Sequence, residues 1–303
     1  MLKIHFHRNI AWYEFSTLDK DKLEEVVDKY QISPYVANKF IEDSNRNKVI
    51  SSYSNLFVSV DVPFLEKDEF IKNKIKLILG KDYLISLVCK KDKGLEKFKA
   101  NFDNGSDFYR GQTQNSKISN TFIYFFEKIY ENLIAELKKI EVKIEEIEKK
   151  VFDGNERKMV YEISHINRKL IDFKKHIRSH DDFWESFFST AEDFFDQKEI
   201  KRIEIINLSY QKTIDQLENI KDQLRELRDT NNSLLNVKMH RLSRIFTITT
   251  FSILPATLFI TIITIPTKQK HLFLGHPHDF TMIIVISLIM VILMLLISKW
   301  SKW

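Results

Sequence analysis

Apolar and polar residues recur along this chain with more than one period, and each period predicts its own kind of element. Residues 2–7 alternate at period two, and 55–62 and 83–89 are short apolar runs rich in β-branched side chains; all three predict strands. Segment 19–30 has helical periodicity, with Asp19 placed to cap its N-terminus. From about residue 120 to Pro255 there is no proline and no clustered glycine, and charges interleave with Ile, Leu and Phe at helical spacing. Three long helices follow, over 119–152, 155–190 and 196–265, with Asp153 and Gly154 making the first break. Along the third, Ile203, Ile206, Tyr210, Leu217, Ile220, Leu224 and Leu227 keep an a/d register, so it packs against its neighbours or against copies of itself. Segment 101–114, with Asn104, Gly105, Ser106 and Gly111, reads as a loop closing a mixed α/β region.

The last sixty residues change character. Stretches 245–265 and 280–298 are uncharged, and about 20 residues at 1.5 Å each cross a hydrocarbon core of roughly 30 Å. The third helix runs into the first stretch without interruption, giving about 70 residues and about 100 Å of helix. Ser243, Thr247, Thr250, Thr257, Thr261 and Thr264 fall at steps of four and three, with Leu254 filling the gap, so seven positions share one face. Lipid offers such a face no partner, and several copies around an axis would turn it into the lining of a pore. In the competing reading each hydroxyl bonds back to the i−4 carbonyl and the stripe merely packs helices.

The expected organisation is an α+β cytosolic domain (1–115), a cytosolic helical hairpin (116–195) and a stalk helix continuing into the first transmembrane helix (196–265). An external loop (266–279), a second transmembrane helix (280–298) and a cytosolic basic and Trp-bearing tail (299–303) complete it. The net charge of +5 is modest, and its placement matters more than its size. Lys238, Arg241 and Arg244 precede the first span and Lys299 and Lys302 follow the second, outnumbering Lys268 and Lys270 between them, so both termini are placed in the cytoplasm. Trp300 and Trp303 suit the headgroup layer. Residues 1–10 show no cleavable signal peptide. The single Cys89 agrees with a reducing compartment and is expected as a small buried hydrophobe.

Candidate chemistry outside the spans is sparse. His176 and His180 stand at i, i+4, a zinc-capable spacing, but two ligands are not a site and a solvated helix face is expected. The aromatic run 183–195 is expected to pack at the tip of the hairpin, and the alternating charges of 140–150 to form an exposed face. Arg46, Lys48, Lys90, Lys91, Arg110 and Lys117 supply a basic component that would suit a phosphorylated ligand if grouped, and ordinary surface charge if scattered. No phosphate loop, nucleophile elbow or metal-protease motif is present, so neither enzymatic activity nor direct nucleic-acid binding is expected.

Several segments together resemble the CorA-like magnesium and divalent-cation transporter family over nearly the whole chain. Pro34, Arg46, Lys48, Leu56 and Phe57 stand at the spacing of one family segment, LILGKDYLISL (77–87) is similar to a family strand pair, and 147–178 to its helix hairpin. Arg244, Phe246, Thr247, Pro255 and Thr257 match the family's first span. The resemblance implies a funnel-shaped homopentamer in the plasma membrane, with the first span lining the pore and the second facing lipid. Mg²⁺ or another divalent cation is implied as permeant or regulatory ion, with no other cofactor.

In one respect the sequence departs from the family. Where its members carry Gly-Met-Asn at the end of the first span, this chain has Thr264, Ile265 and Pro266. Magnesium keeps most of its waters, so a filter must present well-placed oxygens to a hydrated octahedral ion, and proline offers neither side-chain oxygen nor N–H. Lys268 and Lys270 make the outer mouth basic, which repels dications. His240 takes the place of a family Asn at the inner mouth with Arg244 one turn deeper, to act as a pH-sensitive constriction or as a headgroup anchor. The leading expectation is a CorA-like cation channel, divalent or less selective, with an atypical filter and gating by its cytosolic domain. Two alternatives share the frame. One is a membrane effector of type III CRISPR defence gated by a small nucleotide on the cytosolic domain, as in a CorA-like branch; the other is a non-conducting sensor.

Overall fold

The computed structural model describes residues 2–42, 47–52, 54–90, 93–104, 117–264 and 278–300. The chain divides into two compact units, Met1–Arg228 and Asp229–Trp303. The first is built on a six-stranded sheet: β1 (Leu2–His7), β2 (Ile10–Phe15), β3 (Lys48–Ser52), β4 (Asn55–Glu66), β5 (Glu69–Leu79) and β6 (Tyr83–Val88). The strand order is β1-β2-β6-β5-β4-β3, antiparallel except where β2 pairs in parallel with β6. Helices cover both faces, so β2 and β6 are buried throughout and show no polar alternation. That is why β2 carried no strand period of its own.

On one face, α1 (Lys20–Lys29) and α2 (Pro34–Ile41) press Leu23, Val26, Val36 and Phe40 onto Tyr13, Phe57, Ile78 and Ile85. Asp19 caps α1 as expected, accepting from the Lys22 N–H at 3.5 Å. On the other face Trp12 meets Phe98 and Phe102 of α3 (Lys93–Asn104) edge-on, and its indole donates to Ser86 Oγ at 2.8 Å. Residues 101–104, expected as loop, therefore belong to a helix held by aromatic packing, a tertiary contact that polar composition does not report. Gly105, Ser106 and Gly111 lie outside the described residues. The 77–87 segment is the β5–β6 hairpin, closed by Gly80 N–H on the Tyr83 carbonyl at 2.9 Å. The Tyr83 ring lies against Gly80 and leaves no space for a Cβ there. Cys89 follows the last residue of β6 and is exposed, contrary to expectation, because the buried strand has already ended.

Four long helices complete the unit and continue beyond it: α4 (Ile118–Lys150), α5 (Glu156–Ile177), α6 (Ser179–Ala191) and α7 (Gln197–Thr264). A π-type segment, Val151–Asn155, joins α4 to α5, and Gly154 at φ 90° supplies the left-handed residue that the turn needs. The helix expected over 155–190 is interrupted at Arg178. All seven a/d residues of α7 are buried, with Thr213 filling the gap in their register. Their partners are neighbouring helices: Gln216 donates to Glu141 at 3.0 Å, Lys174 binds Glu218 at 2.6 Å, and Ser119 donates to Glu199 at 2.7 Å. In 140–150, Ile140, Ile144 and Ile147 are buried and Glu145, Glu146 and Glu148 exposed, as expected. The aromatic run packs α6 along α4, Phe187 stacking on Phe122 with centroids 4.9 Å apart, and Phe195, in the reversal between α6 and α7, is buried against the same two rings.

His180 is not on a solvated face. It is fully buried, and its bonds can be assigned completely. Nε2 lies 2.7 Å from the Asp61 backbone carbonyl, which only accepts, so Nε2 carries the proton. Nδ1 then accepts from Tyr130 Oη at 2.7 Å, and the Tyr130 oxygen accepts from Trp184 Nε1 at 2.9 Å. One imidazole thereby joins β4 to α4 and α6, with Tyr210 of α7 stacked beside it at 5.8 Å. His176 is half-buried, and among the described residues no group of three His, Cys, Asp or Glu side chains is placed to hold a metal. Burial pushes the His180 imidazole down to about 4 from an ordinary 6.5. As pH falls, the unfolded chain takes up this proton first, so the stability is fully present above pH 6.5 and is lost down to about pH 4. Thermal unfolding of the detergent-solubilised protein is expected to show a loss of roughly 3 kcal/mol across that window, and His180→Phe to flatten the slope while lowering the plateau.

Candidate functional site

The second unit contains the two described helices that are long and apolar enough to cross a membrane: the end of α7, and α8 (Asp279–Trp300) with its apolar stretch Phe280–Ile297. The apolar residues are mainly Ile, Phe and Leu in the first and Ile, Leu and Met in the second, which favour burial in hydrocarbon without help from packing. Ser252, Ala256 and Ile263 of α7 are buried, and the half-buried Ile283, Ile286, Met290 and Met294 recur at helical spacing on α8. Small residues at 252 and 256 suit close helix approach on that side.

The hydroxyl stripe lies elsewhere on α7, and Ser243, Thr247, Thr250, Leu254, Thr257, Thr261 and Thr264 are all exposed in the protomer. Each threonine of the stripe is bonded to its own helix. Thr247 donates to the Ser243 carbonyl at 2.9 Å, Thr250 to Phe246 at 2.9 Å and Thr261 to Thr257 at 2.7 Å. Thr264 lies 3.0 Å from both the Ile260 and Thr261 carbonyls. Thr257 is different: it donates at 2.8 Å to Leu254, three residues back, in the turn after Pro255, which offers the Phe251 carbonyl no N–H. With every threonine proton of the stripe committed inward, the outward lone pairs of those side chains make a row of acceptors. Acceptors suit water and cations and offer nothing to an anion.

The same alternation of three and four continues toward the N-terminal end of α7 through His240, Asn236, Ser233 and Asp229, the last three of which extend the stripe beyond the residues expected to line it. All are exposed, and Ser233 donates to the Asp229 carbonyl at 2.9 Å. The register carries this signal, but it begins in a charged segment ahead of the apolar stretch that marks the span. His240 and Arg244 are exposed at the inner end of the stripe. An open groove of about 520 Å³ runs along this inner half, lined by Met239, Leu242, Phe246 and Phe251 with Ser243, Thr247 and Thr250. Of the proposed filter only Thr264 is described; Ile265, Pro266, Lys268 and Lys270 lie outside the described residues, as do Lys302 and Trp303. Of the scattered basic residues, Lys90 pairs with Glu66 at 2.6 Å and Lys117 with Asp196 at 3.1 Å, while Arg46, Lys91 and Arg110 lie outside the described residues.

An α/β unit followed by long helices and two apolar helices at the C-terminal end defines a two-span membrane protein. Comparison with known proteins gives its family. The model of the CorA-like Mg²⁺ transporter proteins matches residues 8–300, and the chain belongs to that family. The complete CorA magnesium transporter from Methanocaldococcus jannaschii has the same fold, with a TM-score of 0.80 at 16% identity over 99% of this chain and 94% of that one. The full-length CmaX protein is similar at a TM-score of 0.68 and 12% identity, covering 97% of this chain and 89% of its own. The soluble domain of the Methanocaldococcus jannaschii CorA covers 75% of this chain and 89% of its own at a TM-score of 0.60 and 15% identity. No match was found among curated proteins.

Because the stripe hydroxyls satisfy themselves, replacing them should cost the fold little. Thr247→Val and Thr261→Val are each expected to change stability by less than about 1 kcal/mol in thermal unfolding of the purified protein. A loss above about 2 kcal/mol would show that these hydroxyls bind something beyond their own helix.

Proposed function

We propose that this CorA-like protein is a homopentameric cation channel of the plasma membrane, with both termini in the cytoplasm. The acceptor stripe from Ser243 to Thr264 lines its conduit. The observation that carries the reading is the exposure of the whole stripe along the span; the inward bonds of its threonines, which the packing reading shares, leave lone pairs outward that suit hydrated cations. Family membership supports a divalent cation, Mg²⁺ foremost, as the permeant ion and as a regulatory ion on the cytosolic side. The filter is atypical. Thr264 supplies the last hydroxyl ring before Pro266, which has none to offer, and Lys268 and Lys270 make the outer entrance electropositive. Weaker discrimination among cations follows. At the inner mouth His240 and Arg244 form the constriction that the cytosolic unit opens and closes, and the Arg244 guanidinium there opposes dications.

Flux into proteoliposomes tests the proposal. Thr250→Val with Thr257→Val is expected to lower Mg²⁺ uptake about tenfold or more without changing oligomer size, whereas Ile262→Val leaves it unaltered. Uptake undiminished in the double variant would reject the stripe as the conduit. His240→Asn should change Mg²⁺ flux about twofold or more without changing oligomer size, and flux unaltered by the substitution would return His240 to the role of a headgroup anchor.

A further inference from the structure

Strand β5 carries Lys72, Lys74 and Lys76 at alternate positions, so the three project from one face of the sheet. Register places Lys76 opposite Ser59 and Lys74 opposite Asp61 on β4, and Ser59 opposite Lys48 on β3. Four lysines therefore share one end of the face whose other end is filled by Phe57, Ile78 and Leu87. Among the described residues negative charge to match them is short, Asp61 lying among them and Glu42 near Lys48 and Lys76. Asp61 Oδ2 binds Lys72 Nζ at 2.7 Å, while its Oδ1 is 3.8 Å from Lys74 Nζ. Lys76 is occupied with the C-terminal end of α2, donating to the carbonyls of Phe40 at 2.9 Å and Glu42 at 2.7 Å. The Glu42 carboxylate pairs with Lys39 at 2.5 Å.

The shortfall leaves buried polar atoms without hydrogen bonds: Lys74 Nζ, Ser59 Oγ and Asp61 Oδ1. A buried ammonium is rarely left in that condition, because neither water nor a close carboxylate compensates it. Two of the three orphans are donors, and the open edge of the cluster is marked by Lys72, 35% exposed, and by the exposed Cys89 just past β6. Lys48 is half-buried on the far side.

We propose that this lysine-rich end of the sheet binds a phosphate-bearing anion, gripped by Lys48, Lys72 and Lys74 with the Ser59 hydroxyl as a neutral donor. Lysine is suited to the task as a compact point charge on a flexible stem, able to turn toward a multivalent anion. Asp61, shared between Lys72 and Lys74, keeps the two stems together when the site is empty. A dianion completes the charge balance that one carboxylate leaves unfinished, and a metal cation is opposed by four positive neighbours. The site lies wholly within the Met1–Arg228 unit and uses no residue of the spans, so it stands or falls apart from the conduit.

Thermal unfolding of the full-length protein, at constant ionic strength, provides the test with inorganic pyrophosphate and short-chain phosphatidic acid as parallel probes. Pyrophosphate is expected to raise the unfolding midpoint of the wild type in a saturable way. Lys72→Gln with Lys74→Gln should weaken the apparent affinity about tenfold or more, whereas Lys3→Gln on the edge strand β1 should leave it unchanged. Lys48→Gln removes a ligand without touching the partners of Asp61, so it reads the site even if the double variant does not fold; a clear loss of affinity is expected. A saturable response to phosphatidic acid alone assigns the same chemistry to a lipid headgroup. Absence of a response to both probes, or the same loss in Lys3→Gln as in the lysine-face variants, overturns the proposal.

Discussion

A hydroxyl inside hydrocarbon has to find its acceptor on its own helix or across to another, and α7 takes the first course at every threonine of its stripe. This sets the character of the membrane unit. The back-bonds hold each proton at a carbonyl, so the side chains can be exposed along the full length of a span without leaving a donor unmet. The fold therefore does not require the stripe to pack, and the face remains available for water and ions. Leu254 is the one apolar member of the row. It stands where Pro255 interrupts the ladder of backbone bonds and where Thr257 turns to a carbonyl one residue nearer.

The Met1–Arg228 unit solves a different problem, that of joining a sheet to a set of long helices. Most of the joint is apolar, but the specific contact is the buried chain from the Asp61 carbonyl through His180 and Tyr130 to Trp184. Each member has its donor and acceptor roles fixed by the next, which makes the arrangement rigid and sensitive to a proton. A second strap ties the β4–β5 turn to α5, where Asp68 pairs with Lys169 and accepts from His165 at 3.1 Å; these bonds hold the Asp68 carboxyl down at about 2. Asp61 takes part twice, its carbonyl in the histidine chain and its carboxylate among the lysines of β5.

Elements whose period matches their burial were legible from residue order. The heptad of α7, the Gly154 break and the Asp19 cap each follow from a local rule, and all three stand in the structure. Where burial is complete or comes from distant partners, local rules fail. β2 is buried on both faces and shows no alternation, α3 begins a polar segment yet is held by Trp12, and His180 lies four residues from a half-buried histidine but inside the core. The lysines at 72, 74 and 76 read as surface charge one at a time, and only strand pairing places Lys48 beside them and Asp61 among them.

Residue order by itself determined the two apolar spans, the long helix that enters the first of them, and the seven-residue stripe, because hydrophobic length and helical phase are properties of the chain alone. Tertiary structure decided which polar atoms are left without partners and which histidine is buried. Those outcomes depend on strand register and on groups over a hundred positions apart, such as the Asp61 backbone carbonyl and the His180 imidazole, whose meeting no local period encodes.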